Sequence, residues 1–211
     1  RIKKNPFGVL LGLIVIGSMV LGLAADIVQS SRPQPLPPTP TLIVYPTPTS
    51  AAQPMKTYSA PPPMAIDASK SYTATIITNK GTIKLKLLPE VAPNTVNSFV
   101  FLARDGYYDG LVFHRVEDWV VQTGDPTGTG SGGSGYRLNA EFNPTKHVTG
   151  TVGMARADDP NSASSQFYIV KREASWLDNQ YTVFGQTIEG MDVVNRLVVG
   201  DVMQKVTIEE S

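Results

Sequence analysis

The sequence predicts a mainly β protein, a closed antiparallel barrel with helices at its ends, preceded by a transmembrane helix and a proline-rich linker. Many short apolar runs, separated by Gly, Asp and Asn turns, fill residues 69–211 and predict the barrel. Residues 7–25 are apolar and uncharged, and residues 33–63 hold eleven of the 17 prolines. We therefore divide the chain into an N-terminal anchor (1–31), a linker (32–68) and a globular domain (69–211).

Residues 7–25 are the predicted membrane span. At 1.5 Å per residue this helix would reach roughly 28 Å, close to the ~30 Å hydrocarbon core of a bilayer. Arg1, Lys3 and Lys4 precede the stretch and Asp26 follows it. The positive-inside rule then places the N-terminus in the cytoplasm and the domain on the extracytoplasmic side of the cell membrane. A cleaved signal peptide is the alternative interpretation of the same residues.

Residues 33–63 are predicted to form a polyproline II or disordered spacer, because proline lacks a backbone N–H and fixes φ. At ~3.1 Å per residue such a spacer could reach roughly 95 Å. The span and this linker are also where we expect any contacts with other subunits of a membrane complex.

The charge balance and the residue types present exclude several classes of protein. The chain has 18 basic and 18 acidic residues, without the basic excess of a nucleic-acid-binding protein. It has no Cys, which excludes disulfides, zinc ribbons and thiol catalysis. With only His114 and His147 present, a multi-histidine metal site is not expected, and no cofactor is predicted. The glycine-rich stretch 128–135 lacks the Gly-Lys-Ser/Thr ending of a phosphate-binding loop.

The first elements of the domain have clear signals. Residues 72–78 are rich in β-branched side chains, Asn79-Lys80-Gly81 is a turn signal, and residues 82–88 alternate in polarity, which together predict a β-hairpin. A helix should begin at Pro93, which suits a first helical turn, and continue to about Arg104.

The later elements are shorter. A second amphipathic helix is predicted over residues 191–199 and a closing strand over 202–208. The apolar face of that helix would comprise Met191, Val194, Leu197 and Val198. The strand candidates between the two helices are residues 111–113, 120–121, 148–154, 167–170 and 181–184.

Three groups of residues carry the chemical signals. They are FHRV at 113–116 followed by Gln122-Thr123-Gly124-Asp125, the GMARA and SSQFY stretches at 153–157 and 164–168, and Trp176-Leu177-Asp178 leading to Val183-Phe184-Gly185. In these motifs, in their order and over residues 72–208, the sequence resembles the cyclophilin family of peptidyl-prolyl cis–trans isomerases. The resemblance implies an eight-stranded barrel with two capping helices and substrates that contain proline.

The resemblance also implies roles for individual residues. The family lowers the ~18–20 kcal/mol barrier to rotation about an X-Pro bond without breaking any bond. Arg115 would be the catalytic residue, donating to the proline nitrogen as it regains a lone pair, and Gln122 would bind the substrate carbonyl. Trp119, Val120, Tyr168 and Leu177 would form the proline pocket. Ala155, the backbone of Arg156, Gln166, Trp176 and Tyr181 would line the peptide groove.

The sequence departs from the family pattern at several places. The loop that contains Glu117-Asp118-Trp119 is one residue shorter than usual, and we expect it to reduce turnover. At three pocket positions the family usually has Phe, Met and Phe, whereas this sequence has Trp119, Val120 and Tyr168. Tyr181 replaces a His of many eukaryotic members, which gives the domain a bacterial appearance. We expect His114 to be a packed structural residue and His147 to lie in a surface loop.

These observations predict a membrane-anchored isomerase that acts on X-Pro bonds of exported or membrane proteins. The alternative is an accessory or assembly subunit of a larger membrane complex. In that case the domain would be a binding or structural module with weak or no isomerase activity.

Overall fold

A computed structural model of the protein describes residues 55–211, so the predicted span at residues 7–25 and most of the predicted linker lie outside the described residues. Within residues 55–211, no helix is both long and apolar enough to cross a bilayer. The strands are β1 (Tyr72–Thr78), β2 (Gly81–Leu87), β3 (Arg115–Val116), β4 (Val120–Thr123), β5 (Thr151–Met154), β6 (Phe167–Val170), β7 (Val183–Glu189) and β8 (Met203–Glu210). The helices are α1 (Pro93–Arg104) and α2 (Met191–Arg196), with 3₁₀ turns at Pro160–Ser162 and Ser175–Leu177.

The eight strands form one antiparallel sheet in the order β3-β4-β6-β5-β7-β2-β1-β8. The eight-stranded antiparallel architecture with two helices is confirmed, but the prediction of a closed barrel needs correction. The predicted strand at residues 111–113 is not one of the eight strands, but it meets the segment that leads into β8 through a bridge between Val112 and Val202 and four backbone hydrogen bonds. Gly110 and Gly200 lie at the ends of this contact with φ of 84° and 92°, a left-handed conformation that glycine adopts without strain. The two ends of the sheet are therefore joined by this short contact, outside the eight strands.

The predicted hairpin and first helix are confirmed. Strands β1 and β2 pair up to Thr78 opposite Gly81, where the turn begins. Helix α1 begins at Pro93 as expected, and its first turn is stabilised from outside the helix. The Glu141 carboxylate accepts the N–H groups of Asn94 at 3.0 Å and Thr95 at 2.8 Å. A carboxylate at this end satisfies free N–H groups and complements the helix dipole.

The main core lies between α1 and the inner face of the sheet. Phe99 of α1 contacts the rings of Tyr108, Phe167 and Phe184, with ring centroids 5.1–5.4 Å apart. Each of these four side chains is at most 1% exposed. Offset and edge-on aromatic contacts of this kind add to the free energy gained by apolar burial.

Strand β6 is buried on both faces. Phe167 and Ile169 point into the main core, whereas Tyr168 and Val170 point to the other face, because side chains alternate along a strand. This explains why β6 is apolar without interruption. The second face carries a separate set of buried side chains, here called the outer cluster, which comprises Val120, Tyr168, Val170, Ala174 and Leu177.

Helix α2 is shorter than predicted. It ends at Arg196, and Leu197 leaves the helical conformation with ψ of 142°. The Asp201 carboxylate accepts the Val198 N–H at 2.8 Å, which competes with continuation of the helix. Leu197 is buried but Val198 is 55% exposed, so the assignment of Val198 to the apolar face is wrong.

Residues 55–66, which the sequence assigns to the linker, lie against α1. Asn97 accepts the Ala65 N–H at 2.9 Å and donates to the Pro63 carbonyl at 3.0 Å. The Tyr58 N–H donates to the Ser134 carbonyl at 2.8 Å. A cleft of about 380 Å³ lies between this segment and α1, here called the helix cleft.

Candidate active site

Arg115 and Gln122 stand side by side because β3 and β4 pair directly opposite each other at these residues. The Arg115 Nη1 donates to Gln122 Oε1 at 3.2 Å. The Gln122 amide nitrogen donates in turn to Gln166 Oε1 at 2.9 Å. A guanidinium and two amides are thus fixed in a row across β3, β4 and the start of β6.

Glu117 holds the guanidinium from the opposite side. Its Oε1 accepts from Arg115 Nε at 2.7 Å, and its Oε2 accepts the Trp119 indole N–H at 2.8 Å. The Arg115 guanidinium carbon lies 5.3 Å from the Trp119 ring centroid. The hydrogen bond from Arg115 lowers the pKa of the Glu117 carboxyl. Within the described part of the chain Arg115 Nη2 has no acceptor, so it is available to a ligand.

The loop that carries Glu117 and Trp119 is tied to the end of β6. The Lys171 N–H donates to the Trp119 carbonyl at 2.8 Å, and Lys171 Nζ donates to the Glu117 carbonyl at 3.1 Å. The loop itself closes by a Glu117 N–H to Val120 carbonyl bond of 2.9 Å. These bonds fix Trp119 beside the outer cluster. The expected reduction in turnover from this short loop stays a prediction.

The outer cluster is a set of packed apolar side chains close to Arg115. Trp119, Ala155 and Tyr181 pack at its edge. Trp176 meets Trp119 edge-on, with ring centroids 5.5 Å apart, and is 56% exposed. The outer cluster therefore has a buried aliphatic and aromatic interior, with the accessible indole of Trp176 at its edge.

A cleft of about 610 Å³ lies at the start of β6, beside Gln122. Gln122, Ala155, Arg156 and Gln166 line one side, and the glycine-rich stretch 130–135 lines the other. The Gln166 amide donates to the carbonyls of Gly130 at 3.0 Å and Gly132 at 2.8 Å, which joins the two sides. The Arg156 guanidinium lies 4.6 Å from the Tyr181 ring centroid. Polar side chains and glycine backbone thus make up most of the cleft lining.

The glycine-rich stretch is organised by a buried acid rather than by a bound anion. Asp125, 1% exposed, accepts the N–H groups of Thr127 at 2.7 Å, Thr129 at 3.0 Å and Gly130 at 2.5 Å. A carboxylate already occupies these donors, which fits the rejection of a phosphate-binding loop.

The prediction that His147 lies in a surface loop is wrong. His147 is 1% exposed, and its ring contacts Asp178 Oδ1 through Nδ1 at 3.1 Å and the Tyr168 hydroxyl through Nε2 at 2.9 Å. The His147 backbone N–H, its ring and Lys146 lower the pKa of the Asp178 carboxyl to about 2. The local sequence is polar and carries no signal for burial, because the contact partners lie 21 and 31 residues away.

His114 has the character of a packed histidine. Both ring nitrogens are buried, and neither has a hydrogen-bond partner among residues 55–211. Burial lowers the pKa of His114, so the ring is neutral near pH 7.

One continuous set of contacts joins all the residues that the sequence assigns to the site. Hydrogen bonds, ring contacts and apolar packing connect Arg115, Trp119, Val120, Gln122, Ala155, Arg156, Gln166, Tyr168, Trp176, Leu177 and Tyr181. The sequence did not single out Glu117 as the partner of Arg115 or His147 as the partner of Tyr168. A carboxylate two residues after the arginine on a short strand was the available signal for Glu117.

Known proteins share this sequence and fold. Residues 73–211 match the family described as cyclophilin type peptidyl-prolyl cis-trans isomerase/CLD. A peptidyl-prolyl cis-trans isomerase of Helicobacter pylori is 41% identical over 150 residues, which are 69% of this chain and 91% of that protein. One of Synechococcus elongatus is 46% identical over 138 residues, 64% of this chain and 94% of that protein.

The fold comparison agrees. A crystal structure of a Cryptosporidium parvum cyclophilin type peptidyl-prolyl cis-trans isomerase is 29% identical with a TM-score of 0.62, covering 67% of this chain and 99% of that one. A second structure of that protein was determined in the presence of the dipeptide Ala-Pro. From these similarities and the fold, the chain belongs to the cyclophilin-type peptidyl-prolyl cis–trans isomerases.

Proposed function

We propose that Arg115 is the catalytic residue of this isomerase and that the outer cluster holds the proline ring of the substrate. The observation that carries the proposal is the fixed guanidinium of Arg115, with Nη2 unoccupied within the described residues, beside the apolar side chains of the outer cluster. Gln122, which shares a hydrogen bond with Arg115, binds the substrate carbonyl.

The chemistry follows from the electronic structure of the amide. As the X-Pro bond twists, resonance is lost and the nitrogen regains a basic lone pair. A guanidinium donor aimed at that nitrogen binds the twisted state better than either planar isomer, which is the requirement for catalysis. Glu117 and Gln122 fix two of the Arg115 nitrogens before substrate arrives, so little reorganisation is needed in the transition state.

The substrates are proline-containing peptide segments. The cleft that runs from Gln122 past Ala155 and Arg156 offers polar backbone and amide groups to an extended chain. The Ala-Pro dipeptide used with the Cryptosporidium parvum relative is the smallest unit of that kind. The accessible indole of Trp176 at the rim adds apolar surface for a residue next to the proline.

Replacement of Arg115 tests the catalytic role. In a protease-coupled isomerisation assay, Arg115→Ala should lower kcat/KM roughly 100- to 1000-fold, the effect of losing one preorganised donor. Arg115→Lys should recover little, because an ammonium cannot bond Glu117 and Gln122 as the planar guanidinium does. Unchanged turnover in a folded Arg115→Ala protein would remove Arg115 from the mechanism.

We also propose that the enzyme is a single-pass membrane protein whose domain lies on the extracytoplasmic side and acts on exported or membrane proteins. The support is the uncharged stretch 7–25 with basic residues before it. Added protease should digest the domain in intact cells stripped of any outer envelope, and the chain should sediment with membranes. Release of a shortened, soluble chain would instead identify residues 7–25 as a cleaved signal peptide.

The second candidate is an accessory subunit of a membrane complex. The shortened loop at Glu117-Asp118-Trp119 and the eleven prolines between residues 33 and 63 favour it. Extraction in mild detergent followed by size separation distinguishes the two. A chain that migrates at the size of its own 22.7 kDa plus detergent argues against the subunit role.

A further inference from the structure

The most deeply buried polar contacts near the outer cluster belong to His147, which the mechanism above does not use. Its side chain is fully buried and lies between the Asp178 carboxylate and the Tyr168 hydroxyl. The His147 and Tyr168 rings lie nearly parallel, 20° apart, with centroids separated by 6.1 Å.

The proton positions in this chain of contacts follow from the chemistry of the groups. An ionised carboxylate only accepts hydrogen bonds, so His147 Nδ1 carries the hydrogen that faces Asp178. In the neutral form of the ring Nε2 is then the acceptor, and the Tyr168 hydroxyl donates to it. Burial raises the pKa of Tyr168 well above its usual range, so the hydroxyl keeps its proton. The order of donation is therefore Tyr168 to His147 to Asp178.

The contacts of His147 reach both sides of the proline pocket. Tyr168 forms the floor, and Gly153 on the neighbouring strand leaves the space for its ring, since a side chain there would collide with the phenol. The Ala174 N–H donates to the His147 carbonyl at 2.8 Å, and the Asp178 carboxylate accepts the His147 N–H at 2.9 Å. These two bonds hold both ends of the turn that places Leu177 in the wall.

We infer that His147 is a positioning residue for the proline pocket, which fixes Tyr168 and the Ala174–Asp178 turn in the geometry that receives the proline ring. The inference rests on the proposed function of the outer cluster. His147 contacts neither the reacting atoms nor Arg115. It supports a surface that binds the planar and twisted states alike, so its loss should raise KM far more than it lowers kcat.

A matched pair of substitutions in the full chain tests this inference. In His147→Asn the side-chain amide remains near the Nδ1 position and keeps Asp178, but the contact with Tyr168 is lost. In His147→Gln the amide reaches the Nε2 position and restores an acceptor for the hydroxyl. With a proline tetrapeptide as substrate, His147→Asn should raise KM roughly three- to tenfold, the effect of one buried hydrogen bond, with kcat changed less than twofold. His147→Gln should recover most of the affinity.

Tyr168→Phe provides a second approach that keeps the ring and removes only the hydroxyl. It should raise KM by a similar factor, and the double variant Tyr168→Phe/His147→Asn should be no weaker than either single one, because both remove the same contact. By NMR, a slowly exchanging Tyr168 hydroxyl proton should be visible in the wild type and His147→Gln and absent in His147→Asn.

Any one of three results would overturn the inference. They are a wild-type KM in a folded His147→Asn protein, additive losses of affinity in the double variant, and a fall in kcat at constant KM. The Arg115→Ala protein in the same assay separates this failure from failure of the proposed function. If Arg115→Ala retains full turnover, the catalytic proposal is wrong, whereas the hydroxyl proton and the KM effects still decide the role of His147.

Discussion

The main core and the outer cluster are built from the two faces of the same strand, yet they differ in chemistry. On the inner face Phe167 packs its ring against those of Phe99, Tyr108 and Phe184. On the outer face Tyr168 carries a hydroxyl that is bonded to His147, and the amide of Gln122 lies next to it in the β-ladder. Under the proposed function, Phe167 therefore contributes to stability, whereas its neighbour Tyr168 contributes to substrate binding. Substitutions at neighbouring positions should therefore affect different measurements.

The largest effect is expected on the inner face. Phe167→Ala should lower the free energy of unfolding by about 3–5 kcal/mol, because it leaves a cavity among rings that cannot collapse onto it. Urea denaturation of the domain measures this directly. A loss below about 1 kcal/mol would mean that the core repacks freely, and the contrast between the faces would not hold.

A smaller effect on stability, but a clear one on binding, is expected opposite Tyr168. Gly153→Ala introduces a methyl group that collides with the phenol ring. It should cost about 1–3 kcal/mol of unfolding free energy by overpacking and raise KM as the ring is displaced. Gly200→Ala is the control for the steric contact, since a Cβ there meets no neighbour within 4 Å; its φ of 92° should cost some stability, but KM should not change. A KM unchanged by Gly153→Ala would contradict the role of Tyr168 as pocket floor.

Glu117 should have a moderate effect on rate alone. Glu117→Gln removes the charge that holds Arg115 Nε but keeps an acceptor for the Trp119 indole. Because the pair is about 45% exposed, we expect kcat to fall only about two- to fivefold, with little change in stability. Glu117→Ala should lower kcat further than Glu117→Gln. An increase in kcat would show that the carboxylate restrains Arg115 rather than orienting it.

The smallest effect is a dependence of stability on acid. The pKa of Asp178 is about 2 in the folded chain, below the ordinary 3.8 expected after unfolding. A lowered folded pKa means that its stabilisation is full above about pH 4 and is lost as pH falls toward 2. Asp178→Asn should therefore show a shallower loss of stability over this interval in thermal melts. Identical slopes in the two proteins would mean that the Asp178–His147 contact is not formed in solution.

Local patterns were sufficient for much of the fold. The boundaries of the first hairpin and of α1 follow from β-branched alternation, a turn signal and a proline, all within a few residues. The pairing of Arg115 with Gln122 could be anticipated because a short connection joins β3 and β4. The family resemblance then supplied the more distant residues of the groove.

The errors share a different cause, which is contact between residues far apart in the chain. The Val112–Val202 bridge, which replaces a full ladder, spans 90 residues. The burial of His147 depends on contacts with Tyr168 and Asp178. The pattern of apolar residues around position 147 does not indicate these contacts. The end of α2 is an exception with a local cause, because the Asp201 side chain accepts the N–H of Val198, three residues before it.

The position of the substrate proline is the most direct test of this account. The full chain should be mixed with an Ala-Pro-containing peptide labelled with ¹³C in the proline, and intermolecular nuclear Overhauser effects recorded. The outer-cluster site predicts contacts from the proline ring to the Val120 and Leu177 methyl groups. Contacts to Val100 and Ile66, which line the helix cleft, would place the substrate elsewhere and contradict the account.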